Sequence, residues 1–262
     1  MIRGPVPFYK ITREEHSLMN IWIEKWIKIY LKCIINLILY KRNIYPPASF
    51  DITTYQAFNL PQFTPINRHP QLQDYIEELI CDLLGKLVHI YGISICVVAK
   101  ESDICIERYV LRFDEFQHVD SVGVLSEAEV FDEFRSSLNS LMRHLEKQPP
   151  IKDNTVTFEV IINTLEMQLG HKKYEMEPLR TQEDKLAFER HMNWTKCEED
   201  EGFPDPEDSK GIYRPKVKMT SLVGCDVGPL IIRNHSERLV VADDTLDGIY
   251  HSTQESSLNS FP

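Results

Sequence analysis

Residues Ile21 to Tyr40 constrain the fold most. Trp22, Ile23, Trp26, Ile27, Tyr30, Leu31, Ile34, Ile35, Leu37 and Ile38 place apolar side chains almost all round one helix. Such a helix must be covered on most sides by other elements. It has nearly the length of a membrane span, but Glu24, Lys25, Lys28, Lys32 and Asn36 interrupt it, so it reads as a buried helix. Its end falls near Asn43, because Pro46 and Pro47 cannot continue it and Pro46 disfavours helical geometry at Tyr45. Residues 1–18, before Met19, lack the continuous apolar core of a secretory signal and read as an extension.

The rest of the chain must supply that cover. Residues 46–68 read as an ordered irregular loop, since Phe50, Tyr55, Phe58 and Phe63 would be costly to leave in water. A second helix runs from Pro70 to about Tyr91, with Leu72, Ile76, Leu79, Ile80, Leu83 and Leu87 at helical spacing. Ile93–Ala99 and Ile104–Phe113, joined by polar Lys100–Asp103, predict a hairpin. A third helix spans Ser126 to Lys147, with Ser126 and Glu129 placed as a capping box, and Pro149 and Pro150 stop it. Thr155 to Leu165 is rich in β-branched residues and predicts a strand, and Val217–Leu222 and Leu230–Ile232 predict the last strand region. From Gly170 to Pro215 the chain is too polar for core, yet Leu186, Phe188 and Trp194 make it too rich in anchors for a plain linker. From Ala242 onward a polar, Ser-rich tail is expected to be mobile.

A chain of 262 residues suffices for one large domain with extensions. Acidic residues outnumber basic ones, 40 to 29, and a net charge of -11 argues against gripping nucleic acid unaided. The pairs Lys41-Arg42 and Lys172-Lys173 read as solvated surface, so DNA would be reached through a partner. Six cysteines without a CxxC pair point to a reducing compartment. The acidic run Glu198–Glu201 with Asp205, Glu207 and Asp208 has carboxylates for Mg²⁺ or Ca²⁺, but it lacks calcium-loop spacing and reads as a solvated loop. A metal-dependent enzyme built on it is the distant alternative. The histidines form no HExxH, Gly224 and Gly228 read as flexible turns rather than a phosphate loop, and Cys197 has no evident His partner. Binding is therefore the default class. Trp194, in HMNWTKCEEDEG, has no local helix face and must dock on the body or on a ligand, and the residues alone favour the body.

Four strings make a composite signature: INLILYKRNIYPP, RHPQLQDYIEELI, VFDEFRSSLNSLMRHLEK and KMTSLVGCDVGPLII, spread in order over residues 19–240. They resemble the HORMA-domain family, in its branch of fungal accessory, non-catalytic subunits of DNA polymerase zeta. The resemblance implies an α+β fold, with three helices packed on a mainly antiparallel sheet and a mobile C-terminal safety belt. It divides the chain into an extension (1–18), a core (19–169), the belt (170–228), a final strand region (229–241) and a tail (242–262).

Function follows from the same resemblance. It implies a nuclear adaptor with no cofactor, no metal and no membrane, which captures proline-containing segments of the polymerase zeta catalytic subunit under the belt. It bridges that subunit to a scaffold lesion-bypass polymerase in DNA damage tolerance and mutagenesis, and meets DNA only indirectly. Tyr75 matches the family's peptide-contacting tyrosine, Tyr45 a second aromatic of that groove, and Trp194 the belt tryptophan, which turns its reading from packing to capture. Arg135 matches an arginine that pairs two HORMA domains, and an exposed helix cation is an equal reading. Val217, Leu230 and Ile232 fall where the second partner would bind. An adaptor of a spindle-checkpoint or meiotic-axis complex is the alternative, and the contexts of Trp194 and Tyr75 favour the polymerase branch.

Overall fold

The computed structural model describes residues 21–53, 64–113, 125–164, 194, 216–228, 230–240 and 248–251. Helix α1 (Ile21–Lys41) lies in the core, with Ile27, Tyr30, Ile38 and Leu39 all 0% exposed, as its all-round apolar surface requires. Its interior polar residue is used. Asn36 donates to the Lys32 carbonyl at 2.8 Å and accepts from the Asn67 amide at 3.1 Å. The helix ends at Lys41, two residues earlier than expected and ahead of the prolines: Asn43 then takes a left-handed φ of 53°, which asparagine tolerates, and its side chain donates to the Ile151 carbonyl at 3.1 Å. Among the described residues no helix is long and apolar enough to cross a membrane.

Five antiparallel strands form the main sheet: β3 (Ile90–Ala99), β4 (Cys105–Phe113), β5 (Val156–Thr164), β6 (Lys216–Asp226) and β7 (Ile231–Val240), in the order β5-β3-β4-β7-β6. Ahead of them lie β1 (Phe50–Thr53), β2 (Thr64–Asn67) and α2 (Pro70–Lys86), and α3 (Glu127–Glu146) follows β4. Ile93, Ile95, Val97 and Ala99 of β3 join the helices in one apolar core, so all three helices cover one sheet face. The capping box forms as read: Ser126 Oγ accepts from the Glu129 amide, and Glu129 Oε2 accepts from the Ser126 amide at 2.7 Å.

Several expectations change. Residues 46–68 hold a two-stranded sheet of β1 and β2, whose four-residue strands, one containing Pro65, are too short to show alternation. Helix α2 ends at Lys86 and passes through a single turn, Leu87–His89, into β3, which starts at Ile90. Gly224 belongs to a bulge between Leu222 and Cys225 of β6, where any Cβ would collide with the Ile232 carbonyl. Gly228 does sit in a turn, at φ 86°.

The Lys41-Arg42 pair is corrected as well. Lys41 reaches Glu146 at 3.6 Å, but Arg42 is 1% exposed and grips Glu107 through Nε at 2.7 Å and Nη2 at 2.8 Å. Nη2 also donates to the Pro149 carbonyl at 2.9 Å. A buried charge survives only when paired and hydrogen-bonded in this way. Tyr109 and Tyr250 donate to the same carboxylate at 2.9 and 3.0 Å. Tyr250 lies in the segment expected to be a mobile tail, yet it bridges to Ile151, and the His251 amide donates to the Pro150 carbonyl at 2.9 Å. A second polar cluster ties helices to the β6–β7 hairpin: Tyr30 and Ser137 hydroxyls meet at 2.7 Å, and Asn234 donates to each at 2.8 Å.

Candidate partner-binding edge

Strand β5 pairs with β3 on one side, and among the described residues no strand pairs with its other side. Its sequence, VTFEVIINT, holds no lysine, arginine or proline, the residues that usually protect an exposed edge. The other edge, β6, carries Lys216 and Lys218 as well as the bulge. Among the described residues, the outer amide and carbonyl groups of β5 therefore have no strand partner and no basic side chain on the strand to guard them.

Two predicted site residues converge on that strand. Phe158 of β5 makes edge-to-face contacts with Tyr45 at 6.3 Å and 68°, and with Tyr75 at 6.0 Å and 77°. Tyr45 is delivered by the chain leaving α1, and Tyr75 by the second turn of α2. Tyr75 stays 46% exposed although its ring packs on Phe158. Partial burial pushes its phenol pKa up, and the neighbouring Tyr45 hydroxyl adds to this. Burial alone raises that of Tyr45.

Trp194 stands on the same helix. Its indole Nε1 donates to Asp82, which also pairs with Lys86, and its ring packs against the core. Seven residues separate Tyr75 from Asp82, about 10 Å along α2 on nearly one face. The three aromatics thus border a strip between α2 and the edge of β5, and the indole packs on α2 farther along the helix. Phe158 and Asp82 were not singled out from the sequence. Phe158 looks like any core-facing strand residue, and only the strand order shows that β5 is an edge.

The remaining candidates separate. Arg135 is half-buried on α3, and its buried Nε has no hydrogen-bond partner among the described residues. Val217 is 55% exposed on β6, next to Met219 at 63%. Leu230 and Ile232 are corrected: at 0% and 1% exposed they pack in the core and present no surface. Of the segment expected as a belt, residues 170–228, only Trp194 and 216–228 are described, and 216–226 is strand β6 of the main sheet. Tyr55, Phe58, Phe63, Lys172-Lys173, Leu186, Phe188, Cys197 and the acidic run lie outside the described residues. Among the described ones no group of three or more His, Cys, Asp or Glu gathers to hold a metal ion.

The HORMA domain model matches residues 24–172. The chain belongs to the HORMA family. This HORMA protein is 58% identical over 239 residues to the DNA polymerase zeta processivity subunit of Saccharomyces cerevisiae, across 90% of this chain and 96% of that one. Two solved structures share the fold at low identity. A chain of a mitotic checkpoint complex has a TM-score of 0.59 and 15% identity, covering 83% of this chain and 98% of that one. Caenorhabditis elegans HTP-2 bound to a HIM-3 closure motif has 0.56 and 11%, covering 82% and 89%.

Proposed function

We propose that this HORMA protein is the non-catalytic adaptor subunit of a DNA polymerase zeta, capturing a proline-containing segment of the catalytic subunit along β5. The observation that carries the reading is the unguarded β5 edge flanked by Tyr45, Tyr75 and Phe158, in a chain 58% identical to a polymerase zeta processivity subunit. The captured segment adds a strand, so main-chain hydrogen bonds give affinity while Tyr45 and Tyr75 receive apolar and proline side chains. Trp194 closes the strip from the belt and is latched by Asp82. The exposed Val217 and Met219 of β6 offer the scaffold lesion-bypass polymerase a separate surface, and Arg135 serves pairing with a second HORMA domain. The adaptor works in the nucleus, and with a net charge of -11 it meets DNA through its catalytic partner.

Surface plasmon resonance with proline-containing peptides of the catalytic subunit tests this. Truncating a buried aromatic anchor costs about 2 kcal/mol, so Tyr75→Ala weakens binding roughly thirtyfold. Trp194→Ala accelerates dissociation more than it slows association, and the double variant is non-additive because both residues border one segment. Wild-type binding by either single variant would remove that residue from the site.

A further inference from the structure

Ser136, Ser140 and Arg143 of helix α3 and its C-cap residue Lys147 follow at intervals of four, three and four residues, a single stripe on the side packed against β6. Across from it, Lys218 of β6 stands directly opposite Arg238 of β7, and Thr220 opposite Ser236. Lys147, Lys218, Arg238, Thr220 and Ser236 line a crevice of about 280 Å³, and a second hollow, reached past His144, Lys147 and Thr220, is lined by Arg143 and Ser140.

Like charges directly opposite across two strands destabilise a sheet. Arg238 Nη1 donates to the Gln148 side-chain oxygen at 3.3 Å, but among the described residues none of Arg143, Lys147, Lys218 and Arg238 joins an ion pair. Two acids, Glu107 and Glu237, also line the crevice, and both are already engaged. Glu107 is held by Arg42, and Glu237 reaches Arg108 at 3.5 Å and His235 at 3.3 Å. Arg143 and Lys147 do offset the partial negative charge at the C-terminal end of α3. Lys218 and Arg238 lie on strands and have no such role. Three cations, Lys147, Lys218 and Arg238, therefore converge on the crevice, with Arg143 in the adjoining hollow, in a chain whose net charge is -11.

We propose that this crevice binds a phosphate monoester, presented by a phosphorylated serine or threonine of a partner protein. A monoester brings close to two negative charges and three acceptor oxygens, enough for the facing cations and the Thr220 hydroxyl. The charges meet at one compact point and do not follow a track, and an acidic chain repels an extended polyanion, so a single phosphate fits better than a nucleic-acid backbone. Removing the phosphate leaves the opposed cations as a small cost to the fold.

His144 reports occupancy. Its ring sits beside Ser236 Oγ at 2.8 Å, next to Gln148 and edge-on to Tyr109 at 6.4 Å. Burial pushes its pKa down, Glu107 opposes this, and Arg42, Arg238 and Lys147 push it further down. A dianion between Lys147 and Arg238 raises it. The experiment follows the His144 ring protons by NMR in the full chain, assigned by their loss in His144→Gln, while O-phosphoserine is added at constant ionic strength. Serine and a short duplex DNA are the controls. O-phosphoserine should shift the resonance saturably and raise the pKa of His144, and serine should do neither. Lys218→Gln and Arg238→Gln should each weaken the effect about tenfold, the worth of a charge-assisted hydrogen bond, without lowering the melting temperature. Lys218→Arg should retain binding. The proposal is overturned if phosphoserine acts no differently from chloride, if Lys218→Gln binds as the wild type does, or if only the duplex saturates the site.

Discussion

Strands β5 and β6 close opposite sides of one antiparallel sheet, and they are protected very differently. β6 has two lysines, a bulge that needs Gly224, and a hairpin partner in β7 that is tied to α1 and α3 through Asn234. β5 has one acidic residue, no basic residue, and an aromatic, Phe158, touched by Tyr45 and Tyr75. An edge with no strand partner among the described residues is a hazard unless another segment covers it. The difference is one of chemistry: β5 offers backbone groups beside aromatic rings, whereas β6 presents side chains, apolar Val217 and Met219 and cationic Lys218 beside Arg238.

The largest effect should come from the brace between the two edges. Arg42→Met leaves the Glu107 carboxylate buried without its cation, a loss of about 3–5 kcal/mol, which lowers the melting temperature by roughly 10 °C for a domain of this size. Calorimetry measures it, and both edges should weaken together. A loss under about 1 kcal/mol would mean that the edges do not depend on this frame.

Exchanging the protection of the edges comes next. Ile161→Lys gives β5 the guard that β6 has, and peptide capture should fall about tenfold while stability changes by no more than about 0.5 kcal/mol. The converse, Lys216→Thr with Lys218→Thr, should make β6 self-associate, visible by sedimentation. If neither change moves its readout, edge chemistry does not choose the capture strand.

The smallest effect is acid sensitivity, confined to the β6 side. Burial and cationic neighbours hold the His144 pKa below its ordinary value near 6.5, so the unfolded chain binds the proton more readily than the folded one. Stability is fully present above about pH 6.5 and declines as pH falls through that value toward the folded pKa. His144→Gln should flatten this part of a melting-temperature profile. An equal slope in the variant would assign the decline to other groups.

Local rules explain what was legible in the chain itself. The caps of α3, the helical spacing of α2, the β3–β4 hairpin and the all-apolar α1 each depend on residues within a few positions of one another, so composition and period suffice. Tyr75, Tyr45 and Trp194 came from matching strings, and the fold places two of them on Phe158 and the third on Asp82. What the tertiary structure alone decided is non-local. A period of two shows that Phe158 or Ile232 faces the core side, but strand order decides that the first borders an open edge and the second is sealed. Arg42 looked like surface because its carboxylate partner lies 65 residues away, and Lys218 and Arg238 became opposed only when β6 and β7 paired. Sequence reports the chemistry of each side chain. Its neighbours, which decide whether that chemistry is core, brace or site, are chosen by pairing of distant segments.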